Sequence, residues 1–431
     1  MAIAAASLLL IVIAEVLHPS PAQNIFADIG FVGLLTVACL LLTKTTSYET
    51  AVHVPTAESS RGTWLWTIFI LGEFGALSVQ TWFGSTSAIA GGDLSPPLGF
   101  AWIGKIFQDF GWSGNNLGAS TNNQTQLPWA FLDEVVHSLG GSGALAQRVW
   151  YTILVACIFV AAGSLARSLR FTPLAGVIVA LVYFFNPTTM SFVGANPVFL
   201  VTMAIIPVFS CALVSYSNKR ISLWQLCVVF VVAAPFVGFA YQNPPVVLLI
   251  TLTTTATPLL VWARFNRRAA VRSLYGLTVG GVLLIGASSY WLVPAISSLT
   301  TVASGNLSAI SAWAFTESRS SLTNGFWLNT TWGWSFPLYY PFASQFSSFP
   351  LLLVPALVPL SAFGVLTLRR IGLNLTDGRV RFAGLVSLLS LVVIFLSTGT
   401  RSPGNILFDP LYHLPYGWLL REPGRFLIAV S

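Results

Sequence analysis

The sequence predicts an all-α polytopic membrane protein: a bundle of about eleven or twelve transmembrane helices with two long extracytoplasmic loops. Three observations predict it. Of the 431 residues, 55% are apolar and only 8% are charged, whereas soluble globular chains carry about 25% charged residues. Windows of roughly 20 apolar residues, the length that crosses a bilayer core of about 30 Å, recur eleven times along the chain. Lys and Arg concentrate in alternate connections, as the positive-inside rule requires. So few charges cannot solvate this much chain in water, which excludes a disordered protein, a nucleic-acid-binding protein and an ordinary cytosolic enzyme.

The spans are predicted near 2–17, 25–43, 63–83, 149–166, 171–186, 197–217, 221–241, 246–263, 273–298, 350–368 and 382–399. The first is short. It lacks a basic leading region and carries Glu15, so it reads as a span rather than a signal peptide ending near Pro21-Ala22. The third leads into a long loop at about 84–148 and the ninth into another at about 299–349. Between them, Asn186-Pro187, Asn196-Pro197 and Asn243-Pro244-Pro245 punctuate helix ends, since proline stops or starts helices and Asn caps them. Past the eleventh span, Arg421-Glu422-Pro423-Gly424-Arg425 precedes six further residues. Those six read as the opening of a twelfth span, cut off within two turns. Residues 1–62 form an extra amino-terminal hairpin and cytoplasmic loop, and 63–431 the membrane core.

Charge fixes the expected sidedness. One set of connections holds fourteen of the 20 cations: Lys44, Arg61, Arg167, Arg170, Lys219, Arg220, Arg264, Arg267, Arg268, Arg272, Arg369, Arg370, Arg379 and Arg381. The opposite set holds Lys105, Arg148, Arg319, Arg401, Arg421 and Arg425. The chain is therefore expected in a cell membrane with its amino terminus cytoplasmic and both long loops outside. The net charge of +7 is a consequence of topology. Cys39, Cys157, Cys211 and Cys227 lie in apolar runs without metal or disulfide spacing, and read as small buried hydrophobes.

The polar chemistry sits in the outer loops. Asp93 opens Asp93-Leu94-Ser95-Pro96-Pro97 just after a Gly-Gly pair. A carboxylate on backbone stiffened by two prolines suits a general base, and equally caps a turn. Trp112, Asn122, Gln124, Gln126 and Trp129 mix amides with indoles in the same loop. Amides bind sugar hydroxyls and flat rings cover C–H faces, though interfacial Trp anchors in a polar loop look the same. Asp133 and Glu134, on a short amphipathic stretch from Trp129 to Val136, read as solvated. Lys105, Arg148, Arg421 and Arg425 are candidates for binding a lipid phosphate, because an outer-side cation meets phosphate oxygens well. Headgroup binding without chemistry, or pairing of Arg421 with Glu422, is the alternative. Glu15 and Glu73 fall within apolar runs, where a carboxyl is expensive. His18, His53, His137 and His413 are scattered, so no metal ligand set is expected from the residues themselves.

Several of these runs carry a resemblance. They are Asp93-Leu-Ser-Pro-Pro97, Trp112 followed by Gly118, and Gln147-Arg148-Val149-Trp150 leading into Ala161-Ala-Gly-Ser-Leu-Ala-Arg167. Tyr290-Trp291-Leu-Val-Pro294 and Arg421-Glu-Pro-Gly-Arg425-Phe426 complete the set. Over about 63–431 the pattern resembles the membrane part of GT-C glycosyltransferases. It is most similar to the mycobacterial-type α-(1→3)-arabinofuranosyltransferase family and to YfhO-like membrane proteins. The resemblance implies a GT-C-like bundle and inverting transfer from a polyprenyl-phosphate-linked sugar, arabinofuranose being the sugar it suggests. The acceptor would be a cell-envelope glycan or glycolipid at the outer membrane face. It implies Asp93 as base, with an arginine or a bound divalent cation stabilising the leaving phosphate. The extra amino-terminal hairpin departs from the family pattern. Two other classes compete: a secondary transporter or lipid flippase, which would carry polar midplane residues such as Glu73, and a noncatalytic membrane subunit.

Overall fold

The computed structural model describes residues 2–16, 22–43, 61–83, 123–193, 197–241, 244–302, 314–331, 360, 363–364, 377–414, 417–420 and 422–429. Among them every regular element is helical. The helices are α1 (Ala2–Val16), α2 (Ala22–Thr43), α3 (Arg61–Gln80), α4 (Leu127–Ser138), α5 (Gly143–Ser168), α6 (Pro173–Phe184), α7 (Pro187–Val193) and α8 (Pro197–Ser217). They continue with α9 (Leu223–Ala240), α10 (Pro244–Arg264), α11 (Arg267–Ala287), α12 (Ser289–Val302), α13 (Leu322–Phe326), α14 (Asp377–Leu396) and α15 (Asn405–Tyr412). Single 3₁₀ stretches cover Asn123–Gln126, Ala314–Glu317, Gly417–Leu420 and Pro423–Ala429. Eight helical segments are long and apolar enough to cross a membrane. The predicted span at 350–368 lies almost wholly outside the described residues, as does the Glu15 side chain.

The bundle is built around α8, which is apolar on every side and packs against α5, α7, α9, α10 and α11. A helix without a polar face is a core helix or a membrane span, and α8 is both. On one flank α3 and α6 close on α5; on the other, α14 packs on α10 and on α2. The amino-terminal hairpin is therefore tied to the core: Phe31 meets Phe326 and Phe395 at 6.4 and 6.3 Å. Close approaches depend on glycine, as is usual where no hydrophobic gradient separates helix from lipid. A Cβ on Gly75 would meet the Phe159 ring at 2.8 Å, and one on Gly176 the Trp64 indole at 2.7 Å.

Local signals at the helix ends are those the sequence carries. Ser142, Thr172 and Asn266 each accept a backbone N–H three residues on, and Ser222 with Gln225 forms a reciprocal capping box. Each is the expected N-cap chemistry. Helix α4 ends on Gly140 at φ 81°, whereas α5 and α8 end on Arg170 and Lys219 at φ 62° and 61°. A side chain in that left-handed conformation costs about 1 kcal/mol relative to glycine, so these two cations hold turns that glycine would close more cheaply. Asn186 splices α6 to α7. Its Nδ2 donates to the carbonyl of Tyr183 at 2.8 Å and its Oδ1 accepts from Thr189 N at 3.0 Å, while Pro187 opens α7. The predicted span at 273–298 is two helices. Ser288 turns between them, and its carbonyl accepts from Trp291 N and Leu292 N, restarting the chain as α12.

Contacts sort the connections into two ends. At one end the α5–α6 turn meets the end of α10, because Arg264 donates twice to the Leu169 carbonyl. There too Arg272 donates to the Ser217 carbonyl at 3.1 Å, and Gly378 lies against the Arg264 carbonyl. All described cations of the fourteen-residue set lie at this end. Arg148, Arg319, Arg401 and Arg425 lie at the other.

Candidate functional site

The segment carrying Asp93 lies between Phe83 and Asn123, and both of these flanking residues lie at the cation-poor end. On the departing side, Phe83 packs edge-on to Tyr151 at 6.1 Å, and the Arg148 guanidinium sits 5.3 Å above its ring. Trp82 stacks on Phe184 at 6.2 Å. On the returning side, the 3₁₀ turn at Asn123–Gln126 wedges against α9 and α12 and buries Gln124 and Thr125. Pro128 then opens α4, whose inner face carries Trp129, Ala130, Asp133 and Val136 at helical spacing.

Four segments distant in sequence meet beneath these anchors. Trp129 of α4 packs edge-on to Trp150 of α5 at 5.2 Å. Trp150 in turn stacks on Phe236 at 6.4 Å and meets Phe239 at 5.5 Å, both from α9. Trp291 of α12 presses on the α9 backbone, where a Cβ on Gly238 would lie 2.8 Å from its ring, and Tyr241 is 5.1 Å away. Gln147 is fully buried one turn from Trp150. The indole N–H groups of Trp129, Trp150 and Trp291 and the Tyr290 hydroxyl are buried without a hydrogen-bond partner. A buried donor left unpaired costs about 1–3 kcal/mol, so this end holds uncompensated donors around an apolar centre.

Asp133 corrects the expectation of a solvated acid. It is only 5% exposed, because its position four residues after Trp129 puts it on the buried face of α4. Burial pushes its carboxyl above the usual carboxylate range; the nearby His137 works against that rise and Glu134 adds to it.

A second polar constellation lies at the same end. Glu317, 7% exposed, accepts from Thr400 N at 3.0 Å, from the Thr400 hydroxyl, and from the Tyr412 hydroxyl at 3.0 Å. Burial and the adjacent Glu317 carboxylate push the Tyr412 phenol up from its ordinary value. Gly399, at φ 59°, makes room for this arrangement, since a Cβ there would meet the Glu317 carboxyl at 2.9 Å. Arg425 pairs with Glu422 and lies 5.1 Å above the Phe199 ring. Leu328, buried and at φ 54°, takes a hydrogen bond on its carbonyl from Thr188 at 2.7 Å.

Of the residues singled out from the sequence, Asp93, Lys105, Trp112, Asn122 and Arg421 lie outside the described residues. Gln124, Trp129 and Arg148 come together around the mouth of the first long loop, with Gln126 half-buried beside them. Trp129 and Gln124 are buried rather than displayed as a sugar-stacking surface. Arg425 belongs to the second constellation and already has a carboxylate. Glu317 and Tyr412 were not singled out, and their spacing of 95 residues carries no local signal. Among the described residues no group of three or more His, Cys, Asp or Glu side chains gathers, so no ligand set for a divalent cation can be named there. No protein-family model, curated protein or solved structure matches the chain.

Proposed function

We propose that the chain is an inverting glycosyltransferase that takes its sugar from a polyprenyl phosphate at the outer face of the cell membrane and passes it to an envelope glycan or glycolipid. One observation carries the reading. Tyr290-Trp291 and the α9 residues Phe236 and Phe239 come from far along the chain to the neighbouring Gln124–Trp129 and Gln147-Arg148-Val149-Trp150 stretches, at the end where the described residues flanking the Asp93 segment lie. The unpaired indole and phenol donors there suit a ligand rich in oxygen, and their apolar surroundings suit a lipid-borne one.

In this reading Asp93 removes the acceptor hydroxyl proton as that oxygen attacks the anomeric carbon. The bond from the anomeric carbon to the phosphate oxygen breaks, and the polyprenyl phosphate departs with the electron pair. Lys105 and Arg148 hold the departing anion, which is electrostatic stabilisation of charge developing in the transition state. Arabinofuranose is the first sugar to test.

Membranes bearing the protein and given polyprenyl-phosphate arabinofuranose should transfer the sugar, and Asp93→Asn should slow transfer about 10²–10⁴-fold, as removal of a general base does. Near-normal turnover by that variant at wild-type abundance removes the base assignment. The transporter reading makes the opposite forecast. Glu73 sits on the outward face of α3 among exposed Trp66, Phe69, Ile70 and Leu77, and loss of function in Glu73→Gln with Asp93→Asn neutral would favour it.

A further inference from the structure

The opposite end of the bundle gathers arginines beyond what its helix ends require. Arg264 is used locally: Nε and Nη2 donate to the Leu169 carbonyl at 3.3 and 3.1 Å, covering the open carboxy-terminal end of α5. Its guanidinium also lies 5.8 Å from both the Phe171 and Phe382 rings. Three more arginines crowd in from different segments. Arg379 and Arg170 are close enough to repel Arg264 electrostatically, and Arg170 covers the Phe265 ring at 5.6 Å. Arg381 covers the Trp262 ring at 5.9 Å, and its Nε is buried with no hydrogen-bond partner.

No described carboxylate pairs with any of the four, the one ion pair among the described residues being at the far end. The positive-inside rule asks only for cations in these connections, and exposed Arg267 and Arg268 satisfy it. It does not ask for the α5–α6 turn, the end of α10 and the start of α14 to approach one another, with Arg264, Arg379 and Arg381 half-buried and Arg170, Arg264 and Arg381 lying over aromatic rings. Gathered like charges raise the energy of the fold unless an anion sits among them. Guanidinium forks match phosphate oxygens.

We propose that Arg170, Arg264, Arg379 and Arg381 form a binding site for a phosphate group at the cation-rich end of the bundle. It is separate from the aromatic cluster at the other end and does not depend on the glycosyltransferase reading. The phosphate is either that of an anionic phospholipid headgroup or a free phosphate, and the two are separated by the choice of probe.

The experiment takes the purified full chain in neutral detergent and counts retained lipid by native mass spectrometry. The probes are mixed micelles containing phosphatidylglycerol or phosphatidylcholine, with inorganic phosphate as competitor. Wild type should retain phosphatidylglycerol over phosphatidylcholine. Arg379→Gln with Arg381→Gln should weaken that retention about tenfold, the loss of one good charge-assisted contact. Arg267→Gln with Arg268→Gln should leave it unchanged. Arg264→Lys keeps the charge but loses the fork, and should fall between them if the fold survives by thermal melting. Retention that resists millimolar phosphate identifies the headgroup. Displacement by phosphate, with thermal protection of wild type but not of the double variant, identifies a free phosphate at the same site. Equal retention by both double variants, or no preference over phosphatidylcholine with no protection by phosphate, overturns the proposal.

Discussion

The two ends of the bundle solve the problem of unpaired backbone and side-chain polar groups differently. At the cation-rich end the described connections are short turns, and each helix is finished by a residue next to it or by one arginine. Ser222, Thr172 and Asn266 cap from the side chain, Arg170 and Lys219 close turns, and Arg264 and Arg272 cover carbonyls. At the other end, polar groups are buried and held by partners far along the chain. Glu317 is held by Thr400 and Tyr412, Thr188 by Leu328, and Thr330 by Gly424. The difference is one of degree, since Arg264 also reaches the distant Leu169 carbonyl and Ser142 and Asn186 act locally at the second end; what sets the second end apart is the number of indole donors buried there without a partner.

That contrast can be broken in graded steps. Glu317→Ala should have the largest effect on stability, about 3 kcal/mol, because it strands both Thr400 donors and leaves the Tyr412 hydroxyl with the Leu420 carbonyl alone. Tyr412→Phe removes that hydroxyl and should cost about 1 kcal/mol. Melting in detergent, with a fluorescence readout, measures both. If Glu317→Ala melts like wild type, the long-range clamp is not holding the cation-poor end together.

Ser222→Ala at the opposite end removes one local cap, and should cost about 1 kcal/mol without disturbing the aromatic cluster at the cation-poor end. The check is melting together with intrinsic tryptophan fluorescence. A shifted emission maximum would mean that the two ends are coupled.

Asp133→Asn should act in the other direction. The folded-state pKa of Asp133 is raised, so its favourable contribution is complete below the unfolded value near 3.8 and lost as pH rises through the folded value. Burial makes the ionised carboxylate costlier in the folded protein than in the unfolded chain, a cost that Asn would spare. The variant should melt above wild type at pH 7, and the gain should disappear as the pH approaches 4. A lower melting point at pH 7 would mean that Asp133 has a partner holding it ionised.

The fold was legible because its signals are local. Twenty apolar residues in a row state a span, Ser222-x-x-Gln225 states a helix start, and Asn186-Pro187 states a splice, each within one turn of backbone. Span 273–298 misread as one helix because Ser288 interrupts a run whose hydropathy does not change. Asp133 misread because its neighbours Glu134 and His137 suggested a wet face, while the Trp129–Ala130–Asp133–Val136 stripe decided otherwise. The site was legible in part. Trp129, Arg148 and Gln124 could be picked out as unusual for their loop. Nothing in the sequence said that Trp150 and Phe239 would touch at 5.5 Å.

The sequence by itself determined that the chain is helical and apolar enough to span a membrane, and which connections hold the cations. Each follows from transfer free energy or capping chemistry summed over neighbouring residues, which needs no partner from elsewhere. Tertiary structure alone decided that Glu317 would find Tyr412, that three indole donors would be buried at one end, and that four arginines would be pressed together at the other. Those outcomes depend on which helix faces pack, and packing joins residues whose separation along the chain carries no information about their distance in space.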